Sequence, residues 1–343
     1  MDLAAAMLLE RLHTDYAETI EAVEVRPAFR RRFTRLPRMR SAKAMFNADR
    51  LINRFIDYPR TLRQCRGEFD IFHLIDHSYS HLTNYLPGAR TIVTCHDLDA
   101  FRSVLEPALE PRSRAFRRMT QWLIDGLRRT AIAACDSEAT RQELLRYQLL
   151  PPERTVTIWN GVSPIFSSEP EADGDREAER LLGALRLGEP EILHVGSTIP
   201  RKRIDVLLQV FAAIRTHFPD ARLIRVGGPF TASQQALLHQ RGLERAITVL
   251  PFIAAGTLAA IYRRAAVVIL PSEAEGFGLP LAEAMACGAT VIASNIPALR
   301  EVGGAAALYA PVSDVDAIAR MAVTVLDERI SDHALDRRRR ALS

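Results

Sequence analysis

Eight short apolar runs, each leading into a helical or turn stretch, restrict this chain more than any other feature. In the first half, residues 70–75 (DIFHLI), 91–95 (TIVTC) and 131–135 (AIAAC) have the length and composition of buried strands. In the second half, EILHVG (191–196), ARLIRVGG (221–228), AITVL (246–250), AVVIL (266–270) and ATVIAS (289–294) repeat the theme. Runs of this kind are apolar on both sides, so helices must cover both faces of the sheet. The class is therefore α/β with parallel sheets. At 343 residues the chain has material for about two such domains, each with its own core. The acidic, Pro/Gly-punctuated stretch 167–190 contains no strand, which places the boundary near it. The expected domains are residues 1–165 and 166–343.

Several function classes drop out. Apolar runs such as 265–270 fall far short of the ~20 residues that a spanning helix needs. The start, MDLAAAMLLERL, carries Asp2 and Glu10 where a secretory signal has a basic start and an unbroken apolar centre. A cytoplasmic location is expected. Cys65, Cys95, Cys135 and Cys287 are scattered, with no CxxC pair, and read as buried thiols rather than as disulfides or zinc ligands. The net charge is only +4, yet residues 26–40 (RPAFRRRFTRLPRMR), bounded by Arg26 and Arg40, hold seven arginines and no acid. That run suits anionic lipid, a phosphorylated substrate or nucleic acid, or it is simply a solvated loop.

In open parallel sheets ligands bind beyond the carboxyl ends of the strands, so the loops there are the place to look for chemistry. After 191–196 comes Gly196-Ser197-Thr198-Ile199-Pro200-Arg201-Lys202-Arg203, a glycine turn with three cations. Such cations suit a diphosphate, although basic loop residues are more often just solvated. After 266–270 comes EAEGFGLPLAEAMACG (273–288). Pro280 fits the first turn of a helix, and Leu279 before it has no side-chain acceptor, which leaves backbone N–H groups for an anion. Gly276 and Gly278 admit close approach, and the helix dipole favours negative charge there. Glu275 precedes the turn and Glu283 is expected in the first helical turn, where the two carboxylates suit hydroxyl-rich ligands. The alternative is that Glu283 complements the helix dipole and Glu275 is a solvated acid.

EGFGLPLAEAMACGATVIASNIPALREVGG, with HVGSTIPRKRIDVLLQVF upstream and WNGV at 159–162, closely resembles the second half of glycosyltransferase family 4. The resemblance spans about residues 65–325 and is looser in the first half. It implies a GT-B fold, with two Rossmann-like doubly wound domains facing across a cleft, and a retaining, metal-independent enzyme without a cofactor. Such an enzyme moves a hexose from a nucleoside diphosphate sugar to a hydroxyl of a lipid or saccharide acceptor. Carried over by position, Glu275 touches the donor sugar and Glu283 the ribose. The amides of Gly276, Phe277, Gly278 and Leu279, with Gly196, hold sugar and phosphate. Lys202 and Arg201 neutralise the departing diphosphate, and His96 in THDL lies beside sugar and acceptor. Catalytic roles fall to Glu275 and His96. Cell-envelope polysaccharide synthesis is the implied setting; the arginine run at 26–40 itself suggests peripheral contact at the inner face of the membrane, and no nucleic-acid partner is expected.

The chain also departs from the family pattern. Many members carry an Arg after the strand glycine where this chain has Ser197. The family opens with a strand and a glycine-rich loop, whereas this sequence starts in an expected helix, DLAAAMLLERL, and ends at LDRRRRALS, before the family's usual crossing helix. The expectation is a true start upstream of Met1, or a truncated remnant. The alternative functions are a non-catalytic sugar-nucleotide-binding protein or inactive partner subunit, and a GT-B epimerase. His73, His77 and His81 stand at i, i+4, i+8, metal-ligand spacing on a helix. However, His73 falls in a strand and residues 76–79 read as a loop, which removes the helical geometry; a loop that holds acceptor through His77 is one alternative to a metal site, and plain structural histidines are the other.

Overall fold

All eight apolar runs form strands, and every pairing among them is parallel. The computed structural model describes residues 2–35, 42–185 and 190–341, and the chain divides into two units, Met1–Trp159 and Asn160–Ser343.

The first unit holds a four-stranded sheet in the order β1 (Phe72–Leu74), β2 (Thr91–Cys95), β3 (Ile132–Cys135), β4 (Thr155–Thr157). Residues 155–157 are a strand that the sequence reading missed: three residues at a sheet edge carry no apolar run. Helix Arg114–Arg128, capped by Ser113, and helix Glu138–Arg146, capped by Ser137, are fixed at their starts by side-chain acceptors for orphan N–H groups. They bury Leu123, Ile124, Leu127 and Leu144 against Val93, Cys95 and Ala133 of the strands. Residues 77–85, expected to begin as a loop, form a 3-10 helix whose start is capped by Asp76. In register, Cys95 stands opposite Cys135.

The second unit has a six-stranded sheet in the order β10-β9-β8-β5-β6-β7. The strands are β5 (Glu191–Val195), β6 (Arg222–Val226), β7 (Ile247–Leu250), β8 (Val267–Leu270), β9 (Val291–Ser294) and β10 (Leu308–Ala310). β10 is a second edge strand of three residues that the sequence reading missed. Because side chains alternate along a strand, each run feeds two cores. Leu193, Ile224, Val268 and Val291 pack with helices Ala255–Arg264 and Leu279–Ala286 on one face. Ile192, Leu223, Val267 and Ile292 pack with Ile204–Arg215 and Val315–Ala341 on the other. The acidic stretch contains helix Ala172–Leu182, which buries Ala178 and Leu182 in the first of these cores.

The arginine-rich segment is tied down rather than freely solvated. Asp49, Asn53 and Asp57 recur every four residues along helix Ala42–Ile52 and the π-helical turn Asn53–Asp57, so they share one face. Asp49 accepts the backbone N–H groups of Arg32, Phe33 and Thr34 at 2.9, 3.0 and 3.1 Å and the Thr34 hydroxyl at 2.7 Å. Asn53 bonds both the N–H and the carbonyl of Arg30, and Asp57 takes the Arg32 guanidinium with both oxygens, at 2.7 and 2.8 Å. Burial opposes ionisation of Asp49, but the donors from Phe33, Thr34 and Arg32 outweigh it and hold the carboxylate well below its usual range. Arg26, Arg30, Arg31 and Arg35 stay exposed; residues 36–40 of the run lie outside the described residues. Asp49→Ala should release this clamp, so limited trypsin digestion is expected to cut after Arg30–Arg32 several-fold sooner than in the native chain, with cleavage elsewhere unchanged.

Candidate functional site

Strand order in the second unit reverses direction between β5 and β8. β6 and β7 extend one way from β5, and β8, β9 and β10 extend the other, so the loops after β5 and β8 leave the sheet on opposite sides of a crevice. These two loops carry the two motifs. Backbone pairing between the strands is confined to Ile192↔Val267 and Leu193↔Val268. Beyond it, the His194 side chain spans the opening, with Nδ1 2.9 Å from the Ile269 carbonyl. Burial pushes the His194 pKa down to about 3, with the Ile269 bond opposing and Arg225 and Lys202 adding to the fall. A neutral ring that donates from Nδ1 leaves Nε2 as an acceptor, and this buried atom has no protein partner.

The cations and the acids of the two motifs meet here. Lys202 Nζ lies 2.6 Å from Glu275 Oε1, with both side chains about nine-tenths buried. Arg201 Nη1 donates to the Ala274 carbonyl at 3.2 Å and lies 4.0 Å from Glu275 Oε2. The Glu273 N–H donates to the Arg201 carbonyl at 2.8 Å, hooking one loop to the other through the backbone. Arg203, the third cation, is engaged with Asp205, and its backbone adopts a left-handed conformation (φ 48°) at the start of helix Ile204–Arg215. Neither Glu275 nor Lys202 is a solvated loop residue.

The helix after β8 differs from the expectation in two details. It spans Leu279–Ala286 and is preceded by Gly278 at φ 99°, with no side-chain cap. The residue without an acceptor is thus Gly278, and Leu279 is already helical. Gly278 is favoured by its positive φ, and a Cβ there would also press on the end of the Leu299 side chain, 2.5 Å from Cδ2. Gly276, Phe277 and Gly278 are buried and Leu279 is exposed. Glu283 is the fifth residue of the helix rather than part of its first turn, so it is too far along to complement the dipole. Its Oε2 accepts the hydroxyl of fully buried Tyr262 at 3.0 Å. Burial raises the Glu283 pKa, with the Tyr262 bond opposing.

One residue that sequence reasoning missed holds the glycine turns. Arg225 of β6 is fully buried. It donates from Nη2 to the Gly196 carbonyl at 3.0 Å and from Nη1 to the Gly228 carbonyl, while its guanidinium stands over the Phe230 ring at 5.2 Å. Burial lowers its pKa, and no carboxylate pairs with it among the described residues. An arginine inside an apolar strand run was the available signal, since a buried cation needs a structural reason. The Gly196 N–H donates to the Val226 carbonyl at 2.9 Å.

In the first unit, His96 follows β2. Its Nδ1 lies 2.6 Å from Asp136 Oδ2 and its Nε2 2.7 Å from the Ile75 carbonyl. His77 is buried, and its Nδ1 accepts the His96 backbone N–H at 3.3 Å. Its nearer ring nitrogen therefore serves the protein. His73 bonds the Thr94 hydroxyl through Nε2 at 2.8 Å. Among the described residues no group of three or more His, Cys, Asp or Glu is arranged to hold a metal ion, and no helix is long and apolar enough to cross a membrane.

Comparison with known proteins gives two family matches: residues 175–341 match the family described as Glycosyl transferases group 1, and residues 11–166 match Glycosyltransferase Family 4. The chain is 32% identical over 274 residues to O-antigen chain mannosyltransferase B of Escherichia coli, covering 77% of this chain and 68% of that one. It is 29% identical over 288 residues to the serotype-specific mannosyltransferase WbdA of Escherichia coli, where it spans only 34% of the relative's length. Among solved structures it resembles Anabaena HepE in complex with UDP and glucose, with a TM-score of 0.65 and 17% identity over 84% of this chain and 80% of that one.

The two glycines after β6 separate space from conformation. A Cβ on Gly227 (φ 129°) would stand 2.0 Å from the Gly196 carbonyl oxygen, whereas on Gly228 (φ 98°) it would meet nothing within 4 Å. Gly228→Ala should cost roughly 1–2 kcal/mol for its left-handed backbone alone. Gly227→Ala should cost more and displace the turn at Gly196, which ranked thermal midpoints would register.

Proposed function

Since the chain belongs to the group 1 glycosyl transferases of glycosyltransferase family 4, we propose that it transfers a hexose from a nucleoside diphosphate sugar to a hydroxyl of a saccharide or lipid acceptor, with retention at the anomeric carbon. The observation that carries this reading is the meeting of Lys202, Arg201 and Glu275 at the β5/β8 crevice. Beside it, a glycine-led helix start has no side-chain cap. The relatives that act in O-antigen and mannose transfer favour cell-envelope polysaccharide as the setting.

The charge logic is simple. The transition state gathers positive charge on the sugar and negative charge on the departing diphosphate. Donors fixed where charge develops then lower the barrier without reorganisation. Lys202, Arg201 and the N–H groups at Gly276, Phe277, Gly278 and Leu279 face the diphosphate, with the helix dipole adding to them. Glu275 holds the Lys202 ammonium before donor arrives. When phosphate oxygens take over that ammonium, the carboxylate turns to the sugar hydroxyls. Glu283, oriented by Tyr262, accepts from the ribose hydroxyls, and Gly196 lets the diphosphate approach the backbone. These fixed cations supply the charge that a metal ion supplies in other transferases. The donor's own phosphate oxygen takes the acceptor proton on the same face, and a role towards sugar and acceptor falls to His96.

The exposed Arg26, Arg30, Arg31 and Arg35 stand among the exposed apolar side chains of Val23, Val25, Phe29 and Phe33. This combination suits the interface of an anionic membrane.

A thermal-shift and calorimetric screen against UDP-, GDP- and ADP-sugars tests the reading. One donor class should stabilise the protein, by ~2.7 kcal/mol at a hundred times its dissociation constant, and less in Lys202→Ala and Glu283→Gln. Stabilisation by none of them in a folded sample would sink it. Membrane contact should appear as co-sedimentation with anionic but not neutral liposomes, and it should weaken with salt.

A further inference from the structure

β2 and β3 run side by side with Cys95 opposite Cys135, so the next residues, His96 and Asp136, leave the sheet as neighbours. Both His96 ring nitrogens face acceptors: Nδ1 the Asp136 carboxylate at 2.6 Å, Nε2 the Ile75 carbonyl at 2.7 Å. A carbonyl can only accept, so Nε2 must carry a proton. The short contact at Nδ1 also needs one proton, which the imidazole supplies to the carboxylate acceptor as in a charge-assisted hydrogen bond. Two protons on the ring make an imidazolium.

The surroundings agree. The ionisable groups around His96 are Asp136 after β3, Asp76 and His77 after β1, Asp97 after β2, and His73 within β1. The two neighbouring histidines are driven towards neutrality, chiefly by burial. Burial alone would lower His96 as well. The Asp136 bond and charge, the Ile75 carbonyl and Asp76 together outweigh it and raise the His96 pKa above its usual value.

We propose that Asp136 is a positioning residue that keeps His96 doubly protonated, so that His96 works as a fixed cation in the reaction and not as a proton acceptor. The proposal rests on the catalytic role proposed above for His96. Its sign is opposite to that of a general base. A base must be neutral to act, so activity would rise with pH through its pKa. A clamped imidazolium is active below its pKa and fails above it. Any stability it contributes has the same sense: present at low pH, and lost as pH rises through the raised folded-state pKa.

Two measurements on the full chain decide it. Nitrogen chemical shifts of the histidine rings should show both His96 nitrogens protonated at pH values where a free histidine is already neutral, and this state should be lost in Asp136→Asn. The pH profile of kcat/KM should have an alkaline limb that moves to lower pH in Asp136→Asn and is largely restored by Asp136→Glu. A purely structural Asp136 would lower activity at every pH and leave the limb where it was, overturning the proposal. A singly protonated His96 at neutral pH would do the same. The ring measurement needs no donor. Failure of every nucleotide sugar to bind would therefore remove the proposed function, while the protonation state is still decided by the spectra.

Discussion

The reversal of strand order between β5 and β8 is the constraint on which the second unit's site depends. Helix Ile204–Arg215, which follows β5, packs on one face of the sheet, and helix Leu279–Ala286, which follows β8, packs on the other. The crossovers therefore depart to opposite sides, and the space above the carboxyl edge stays open. Backbone pairing covers two residues of each strand there, and His194 carries the connection on to the Ile269 carbonyl. Arg225 fixes the Gly196 and Gly228 carbonyls from below. The crevice is therefore a supported opening.

The buried pairing of Lys202 with Glu275 is best understood against that support. A buried ion pair seldom repays its desolvation cost as stability, because both ions give up hydration for one partner. Placed where an anion is proposed to bind, the pair has another use. It keeps an ammonium dehydrated and aimed, with a counter-charge that an incoming diphosphate can displace. The helix start beside it follows the same logic, since with Gly278 at its head no side chain stands over the positive end of the helix dipole.

The first unit reaches its own polar cluster by register. Parallel neighbours in step at Cys95 and Cys135 deliver His96 and Asp136 to the same height, and the turn after β1 supplies the Ile75 carbonyl. A one-residue slip between β2 and β3 would send the two side chains to opposite faces of the sheet, so strand packing sets the distance between them.

Much of this was legible in the chain itself. The eight apolar runs gave the strands, the class and the parallel sheets, because a strand buried on both faces must be apolar throughout. Family resemblance rested on the turn at 273–288 and the cations at 201–203, which are local in sequence. The strands at 155–157 and 308–310 escaped notice because short edges bury little. The pairings escaped too. That Lys202 meets Glu275 across 73 residues, that Glu283 leans on Tyr262, and that Arg225 reaches two glycine turns are long-range facts that follow from strand order and register. The sequence by itself determined which segments are strands and which loops carry charge, since burial and turn chemistry are written residue by residue. Only the tertiary structure decided which charges meet, because partners far apart in sequence are chosen by the geometry of the packed sheet.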